Sequence, residues 1–420
     1  MKVFKFGGAS VKDAATVKKL GEILSMFPNE RICVVISAMG KTTNLLEKIT
    51  EAWVNQDVAV LELLRDLEAF HRTISAELED AGKANIKLIM NEIRQILQGA
   101  PPSYNDAGYD LVVSHGELLS TAIVSEYLNK TGIANQMLDA RKMIITNESF
   151  RNARISWKET NARITAAFDE ANPEHEELIT ITQGFIGSSF SGQPVTLGRE
   201  GSDFSAAIFA HVLDASEMII WKDVDGVFNA DPHFFNDVVK LDHISYHDAI
   251  ELAYFGASVI HPKTIQPLQN KSIPLYVKSF INSTSEGTLI DKSTDNQSNI
   301  PSFIVKPAQA LVSISPKDFS FVAEDNLHNI FGLLSHMGIR INMMQNSAIS
   351  FSICIDNHPE KLKRIITALS GEFSVKYNTG LELITIRYYN KKIVDKIVGK
   401  RPIFLEQRSR LTVQLVVEEK

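Results

Sequence analysis

Over residues 1–290, short apolar runs (RICVVISA, ELITITQGFI, ASEMIIWKDV, IPLYVKSF) alternate with longer segments of helical period such as NLLEKITEAWVNQ and SDFSAAIFAHVL. Apolar runs of that length suit strands covered on both faces, and the helical segments between them supply the crossovers that parallel strands require. The expectation is an α/β domain with a mainly parallel sheet between layers of helix. DKSTDNQSN, residues 291–299, is polar and turn-rich and reads as a linker.

Beyond residue 300 the pattern changes. One set of segments reads strand (ALVSIS), helix (NLHNIFGLLSHMG), two strands (IRINMM, AISFSICID), helix (PEKLKRIITALSG) and strand (FSVKYN). A shorter set follows: LELITIRYY, NKKIVDKIVG, RPIFLEQ and RLTVQLVVEE. Gln345, Ser347, Ile349, Phe351 and Ile353 align without gaps on Gln407, Ser409, Leu411, Val413 and Leu415. The tail therefore reads as two copies of a βαββ-type module, residues 301–378 and 379–420, the second with a shortened helix.

Charge excludes some functions. With 43 Lys+Arg against 50 Asp+Glu the net charge is −7, and no basic block is present to track a phosphate backbone, so nucleic acid is not an expected partner. No run approaches the roughly 18 apolar residues of a membrane helix, so no membrane span is expected. The opening MKVFKF leads straight into a charged, helix-patterned segment and reads as structure, not as a signal peptide. The two cysteines, Cys33 and Cys354, lie far apart in strand-like runs and read as reduced core residues of a cytoplasmic protein.

Chemistry concentrates at strand-to-helix turns. In KFGGAS (residues 5–10), Gly7 and Gly8 let backbone N–H groups approach an anion while Lys5 supplies a full charge; a tight glycine turn beside a surface lysine is the plainer alternative. SAMGKTTN (37–44) resembles the end of a P-loop but has Val35 where that motif requires its first glycine. What remains is a polar turn with Thr43, suited to a ligand or to helix capping. SHGELLS (114–120) places Glu117 at another helix start, where it serves the helix dipole or a substrate ammonium. His115 has no second ligand at metal spacing, and no metal-binding residues are assigned. VTLGREGSDFSAA (195–207) is the richest: Arg199 offers a fork for a carboxylate or phosphate, Gly201 and Ser202 offer N–H groups, and Asp203 orients a cation or caps the helix. WKDVDGVFNADP (221–232) reads as a nucleotide-binding loop or a long turn, and ASVIHPKTIQP puts Lys263 at a helix start. Turns of this kind, gathered at the carboxyl ends of parallel strands, describe one cleft.

These motifs, with DAR at 139–141, occur in the order and approximate spacing of the aspartate kinases, and the chain resembles that family over essentially its whole length. The resemblance implies a three-layer αβα amino acid kinase domain (residues 1–290), followed by C-terminal α+β ferredoxin-like ACT modules. It implies phosphoryl transfer from MgATP to the side-chain carboxylate of L-aspartate, on the route to lysine, threonine and methionine. By motif position, Lys5 and Asp203 are catalytic, and Thr43, Glu117, Arg199 and Ser202 form the aspartate pocket. Gly7, Gly8, Ser10, Asp223, Gly226, Phe228, Asp231 and Lys263 contact ATP. A homodimer through the ACT modules is expected, with lysine or threonine as effector near residues 323–326 and 341–347.

Three positions depart from the family pattern: Ala9 for Thr, Glu200 for Gly, and His233 for Arg. Glu200 places a carboxylate beside an anion pocket, which opposes binding unless it points to water or pairs with a cation. The alternatives are another amino acid kinase, disfavoured by the paired tail, and an amino-acid sensor that has kept the fold but lost turnover. No homoserine dehydrogenase domain is expected after the tail.

Overall fold

The computed structural model describes residues 1–101, 105–171, 179–257, 260–293, 300–318 and 320–419. Two compact units are present. The first comprises residues 1–227, 240–250 and 259–297, and the second residues 228–239, 251–258 and 298–420. The division expected at residue 290 is therefore less simple than the sequence suggests, because two short excursions of the first region, 228–239 and 251–258, pack with the tail. Most of the expected linker, 294–299, lies outside the described residues.

The first unit is built on an eight-stranded sheet in the order His243–Ser245, Thr288–Asp291, Leu275–Ser279, Glu217–Lys222, Lys2–Phe6, Ile32–Ile36, Ile179–Gln183, Asn135–Leu138. Six neighbouring strands, from Leu275–Ser279 to Asn135–Leu138, run parallel, and the one antiparallel step is between Leu275–Ser279 and Thr288–Asp291. Ile32–Ile36 and Ile179–Gln183 are buried at every position, as expected of strands sandwiched by helices. Phe6 lies parallel to the Trp221 indole with centroids 6.2 Å apart, locking the central strand to its neighbour. The strand order turns at Lys2–Phe6: the chain next adds Ile32–Ile36 on one side and later Glu217–Lys222 on the other. Such a switch point leaves a crevice at the carboxyl ends of the strands.

In the second unit a six-stranded antiparallel sheet runs Ile341–Asn346, Phe351–Asp356, Ser302–Pro316, Phe373–Arg387, Thr412–Glu418, Ile403–Arg408. The two central strands are each 15 residues long and serve both halves of the sheet. Residues 309–316 pair with 373–381 beside the hairpin 341–356, whereas 302–306 pair with 383–387 beside the hairpin 403–418. A register shift near Ala308, whose φ is +51°, marks the join. The hairpin registers repeat: Gln345 faces Ser352 as Gln407 faces Gln414, and the irregularity at Ile341/Met343 recurs at Ile403/Leu405.

The first half thus has the ferredoxin-like order, with helices Glu324–His336 and Pro359–Leu369. The second half has one helix, Lys391–Val398, and takes its fourth strand from residues 302–306. Two consecutive modules divided at 378/379 do not describe this pairing, because the division falls inside the Phe373–Arg387 strand. Each half has its own core, one around Val312, Ile330, Ile353 and Ile365, the other around Ile384, Val394, Val413 and Leu415. Among the described residues no helix is long and apolar enough to cross a membrane.

Candidate active site

Turns after the parallel strands Lys2–Phe6 and Ile32–Ile36 enclose a cleft of about 430 Å³ in the first unit together with two segments that, against expectation, do not follow strands of that sheet: the junction between helices Asn105–Val113 and His115–Lys130, and the loop after Pro194–Thr196, a strand of a separate three-stranded sheet. Lys5 comes from the central strand, Gly8 from the single 3-10 turn after it, and Thr43 from the start of the Thr42–Val54 helix. Glu117 comes from the first turn of His115–Lys130, while Arg199, Ser202 and Asp203 come from the loop and first turn of Gly201–Val212. Every catalytic and aspartate-pocket residue expected from the sequence is therefore in one place.

At the floor, Lys5 Nζ lies 2.7 Å from Asp203 Oδ1, with side chains 11% and 5% exposed. A Cβ on Gly8 would fall 2.8 Å from the Ala38 carbonyl oxygen, so only glycine lets this turn pack against the one after the neighbouring strand. The Thr42–Val54 helix is anchored by buried His71. Its Nδ1 donates to the Leu67 carbonyl (2.8 Å), which leaves Nε2 to accept from the Thr42 hydroxyl (3.3 Å). Burial holds this imidazole neutral, with its pKa lowered to about 4.

Glu117 is 2% exposed. Its Oε1 accepts from the Ala38 N–H at 3.3 Å, and Oε2 has no partner. Burial pushes this carboxyl up to about 8, so without a cation against it the group is largely protonated at neutral pH. A substrate ammonium brought against it would restore the carboxylate.

Three further residues that line the cleft lie outside every motif read for ligand binding, Tyr109, Arg151 and Phe185, and a fourth, Thr196, lies in the 195–207 motif without having been assigned a role. Buried Asp110 organises this wall, accepting from the Arg151 N–H (2.9 Å), the Thr196 N–H (2.9 Å) and the Thr196 hydroxyl (2.6 Å). Burial raises the Asp110 carboxyl to about 6 in spite of these bonds. Glu200 also lines the cleft. Its backbone is left-handed (φ +54°), its side chain does not cap the following helix, and its Oε2 is buried without a partner. The residue as a whole is half-buried, and no ion pair to it is seen among the described residues.

The remaining expected positions are elsewhere. Ser10 is buried and its hydroxyl donates to the Trp221 carbonyl (3.3 Å). Gly7 sits beside Lys5, whose Nζ would lie 3.2 Å from a Cβ there. Asp223 and Gly226 belong to the first unit, Phe228 and Asp231 to the second. Asp231 accepts from the His233 N–H and ring (both 2.8 Å), which holds its carboxyl below the usual range. Lys263 heads the Pro262–Lys271 helix and donates to the Asn152 side chain; burial lowers its pKa.

The model of the amino acid kinase family matches residues 1–279. Aspartokinase 1 (chloroplastic) of Arabidopsis thaliana is 33% identical over 86% of this chain and 64% of its own length. Lysine-sensitive aspartokinase 3 of Escherichia coli is 31% identical over 91% of this chain and 86% of its own. The chain spans 42% of a bifunctional aspartokinase/homoserine dehydrogenase of A. thaliana at 30% identity. Among solved structures, E. coli aspartokinase III in complex with aspartate and ADP is similar with a TM-score of 0.83, 28% identity, and coverage of 100% of this chain and 96% of that one. The same enzyme in complex with lysine and aspartate gives the same values.

Proposed function

The chain belongs to the amino acid kinase family and, within it, to the aspartokinases, and from that premise we propose that it phosphorylates the side-chain carboxylate of L-aspartate with MgATP. The observation that carries this reading is the buried Lys5–Asp203 pair at the floor of a cleft walled by Glu117 and Arg199.

The residues account for the chemistry. The nucleophile is a carboxylate, ionised at neutral pH, so no general base is required. Its oxygen attacks the γ-phosphorus, the bond from phosphorus to the bridging oxygen of ADP breaks, and 4-phospho-L-aspartate and ADP leave. The obstacle is repulsion between aspartate and the triphosphate. Lys5, held by Asp203, places a positive charge where the transferring group would sit, and the N–H groups of the Gly7–Gly8 turn add oriented donors. Magnesium bound to the triphosphate would neutralise part of its charge. Arg199 takes the α-carboxylate and Glu117 the α-ammonium; Thr43 and Ser202 supply further hydrogen bonds. Such charged contacts contribute roughly 1.5–3 kcal/mol each, enough to select an amino acid over a plain diacid. Gly7, Gly8 and Ser10, the 223–231 loop and Lys263 are assigned to ATP.

We assign residues 1–290 to catalysis and the tail to regulation: its two ferredoxin-like halves are proposed to act as ACT modules that dimerise and bind lysine or threonine. The lysine complex of the similar E. coli enzyme favours lysine. A cytoplasmic location fits this role.

Hydroxylamine trapping of the acyl phosphate, with ATP, Mg²⁺ and L-aspartate, tests the reading. An aspartate-dependent hydroxamate is expected, reduced by lysine or threonine. One observation favours a second reading, an amino-acid sensor without turnover: the Glu200 carboxylate in the cleft, with one oxygen buried and without a hydrogen-bond partner. Aspartate binding with no hydroxamate would select it.

A further inference from the structure

We propose that Arg151 is a second carboxylate-binding arginine of the cleft, acting with Arg199 on the α-carboxylate of the substrate. This rests on the kinase reading above. Arg151 lies on the loop before the Trp157–Ala171 helix and lines the cleft.

The site is built around it. Its backbone is left-handed (φ +61°), a conformation unfavourable for a residue with a Cβ, and it is held there by the hydrogen bond from its N–H to buried Asp110. Its guanidinium carbon lies 4.1 Å from the Tyr109 ring centroid, and Tyr109 is itself fixed by donating to Glu47 at 2.8 Å. Stacking on one face leaves the planar edge of a guanidinium available, and that edge carries five N–H donors. The side chain makes one polar contact, a long one of 3.4 Å from Nη1 to Asp106, both half-exposed. The arginine is thus oriented but its donors are barely used.

Charge gives the reason for a second arginine. Lys5, Arg151 and Arg199 face Glu117, Glu200 and Asp203 in the same cleft. Asp203 is matched by Lys5, and Glu117 is reserved for the ammonium. Glu200 adds a third acidic side chain to the lining, so without Arg151 the cleft sets two cations against three acids, a poor balance for an incoming carboxylate. Arg151 evens it. The two loops are in contact, since a Cβ on Gly198 would fall 3.0 Å from the Arg151 carbonyl oxygen, so both arginines line the cleft from neighbouring segments, which leaves Lys5 for the reacting carboxylate.

Steady-state kinetics of the full chain tests this with Arg151→Gly, which suits the left-handed backbone, and Arg151→Lys, which keeps the charge. Arg151→Gly is expected to raise KM for L-aspartate on the order of ten- to a hundredfold, with kcat and KM for ATP changed less than about twofold, and Arg151→Lys to recover part of the loss. Discrimination between L-aspartate and its α-amide, which keeps the side-chain carboxylate, should shrink in Arg151→Gly; a role limited to packing Tyr109 would leave that ratio unmoved. An unchanged aspartate KM, or a change confined to ATP, overturns the inference while leaving the kinase reading intact. If the unaltered protein has no turnover, the kinase reading fails, and calorimetric binding of L-aspartate decides: the inference survives only if the unaltered protein binds and Arg151→Gly binds at least tenfold more weakly.

Discussion

Lys5 and Asp203 approach within 2.7 Å although 198 positions separate them, one on the central strand and the other in the first turn of the Gly201–Val212 helix. The pair is almost fully desolvated. Breaking it by removing one partner leaves a buried charge unmatched, which costs about 3–5 kcal/mol, whereas removing both costs far less. Lys5→Met should therefore lower the melting temperature more than the double variant Lys5→Met/Asp203→Asn. Both should lose turnover by at least about a hundredfold, since the donor that neutralises the transferring phosphoryl is gone. Lys5→Ala should spare aspartate binding. Comparable turnover in any of these variants would remove Lys5 from the mechanism.

The elevated pKa of Glu117, about 8, gives aspartate binding a pH dependence of definite sign. The ammonium requires the carboxylate, so binding below pH 8 releases a proton. Affinity should rise by up to about tenfold per pH unit toward 8 and then level off. Folding stability has the opposite trend: a carboxyl whose folded-state pKa is raised contributes stability that is complete below its unfolded value near 4.5 and is lost as pH climbs through 8. Glu117→Gln should flatten both profiles. Calorimetric titration and thermal melts between pH 5 and 9 check this; a Glu117→Gln protein with the original pH profile would assign the titration to another group.

Glu200 combines a left-handed backbone with a buried carboxylate oxygen that has no partner. Glycine at this position relieves about 1 kcal/mol of backbone strain and removes a charge that opposes the substrate carboxylates. Glu200→Gly should melt a few degrees higher and bind L-aspartate several-fold more tightly, with kcat little changed. Weaker binding would instead make Glu200 a contributor to the site.

Much of this site was legible because its residues lie in compact polar turns at helix starts. KFGGAS follows a strand of the parallel sheet, but SHGELLS joins two helices and GREGSD follows a strand of a separate three-stranded sheet, so the turns were marked by their glycines and polar residues and not by a shared sheet. Arg151 was not legible. Its loop has no glycine and no apolar periodicity, and its place in the cleft depends on Asp110, 41 positions earlier, which the sequence presents as one more helical aspartate. Similarly, the repeated hairpins of the tail could be aligned on sequence alone, since alternation sets their faces. The strand at 302–306 could not be assigned to the later half, because local sequence shows that a strand forms and not which strand it pairs with.

That interleaved pairing has a testable consequence for the tail. Deleting residues 400–420 removes Val413, Leu415 and Val417, and leaves Ile384, Ile386, Val394 and Val398, all nearly fully buried, without their cover. Each such side chain loses about 1.5–3 kcal/mol of burial, which together exceeds the whole margin of a small domain. The second half should then unravel, and its fourth strand with it. Hydrogen exchange should show residues 302–306 losing protection together with 383–387, although the deletion lies about 100 positions away in sequence, while 309–316 remain protected by the hairpin at 341–356. In two consecutive modules, residues 302–306 would belong to the first and keep their protection. Retained protection at 302–306 after the deletion would thus argue against the pairing seen here, and its selective loss would show that the tail is one sheet assembled from both of its ends.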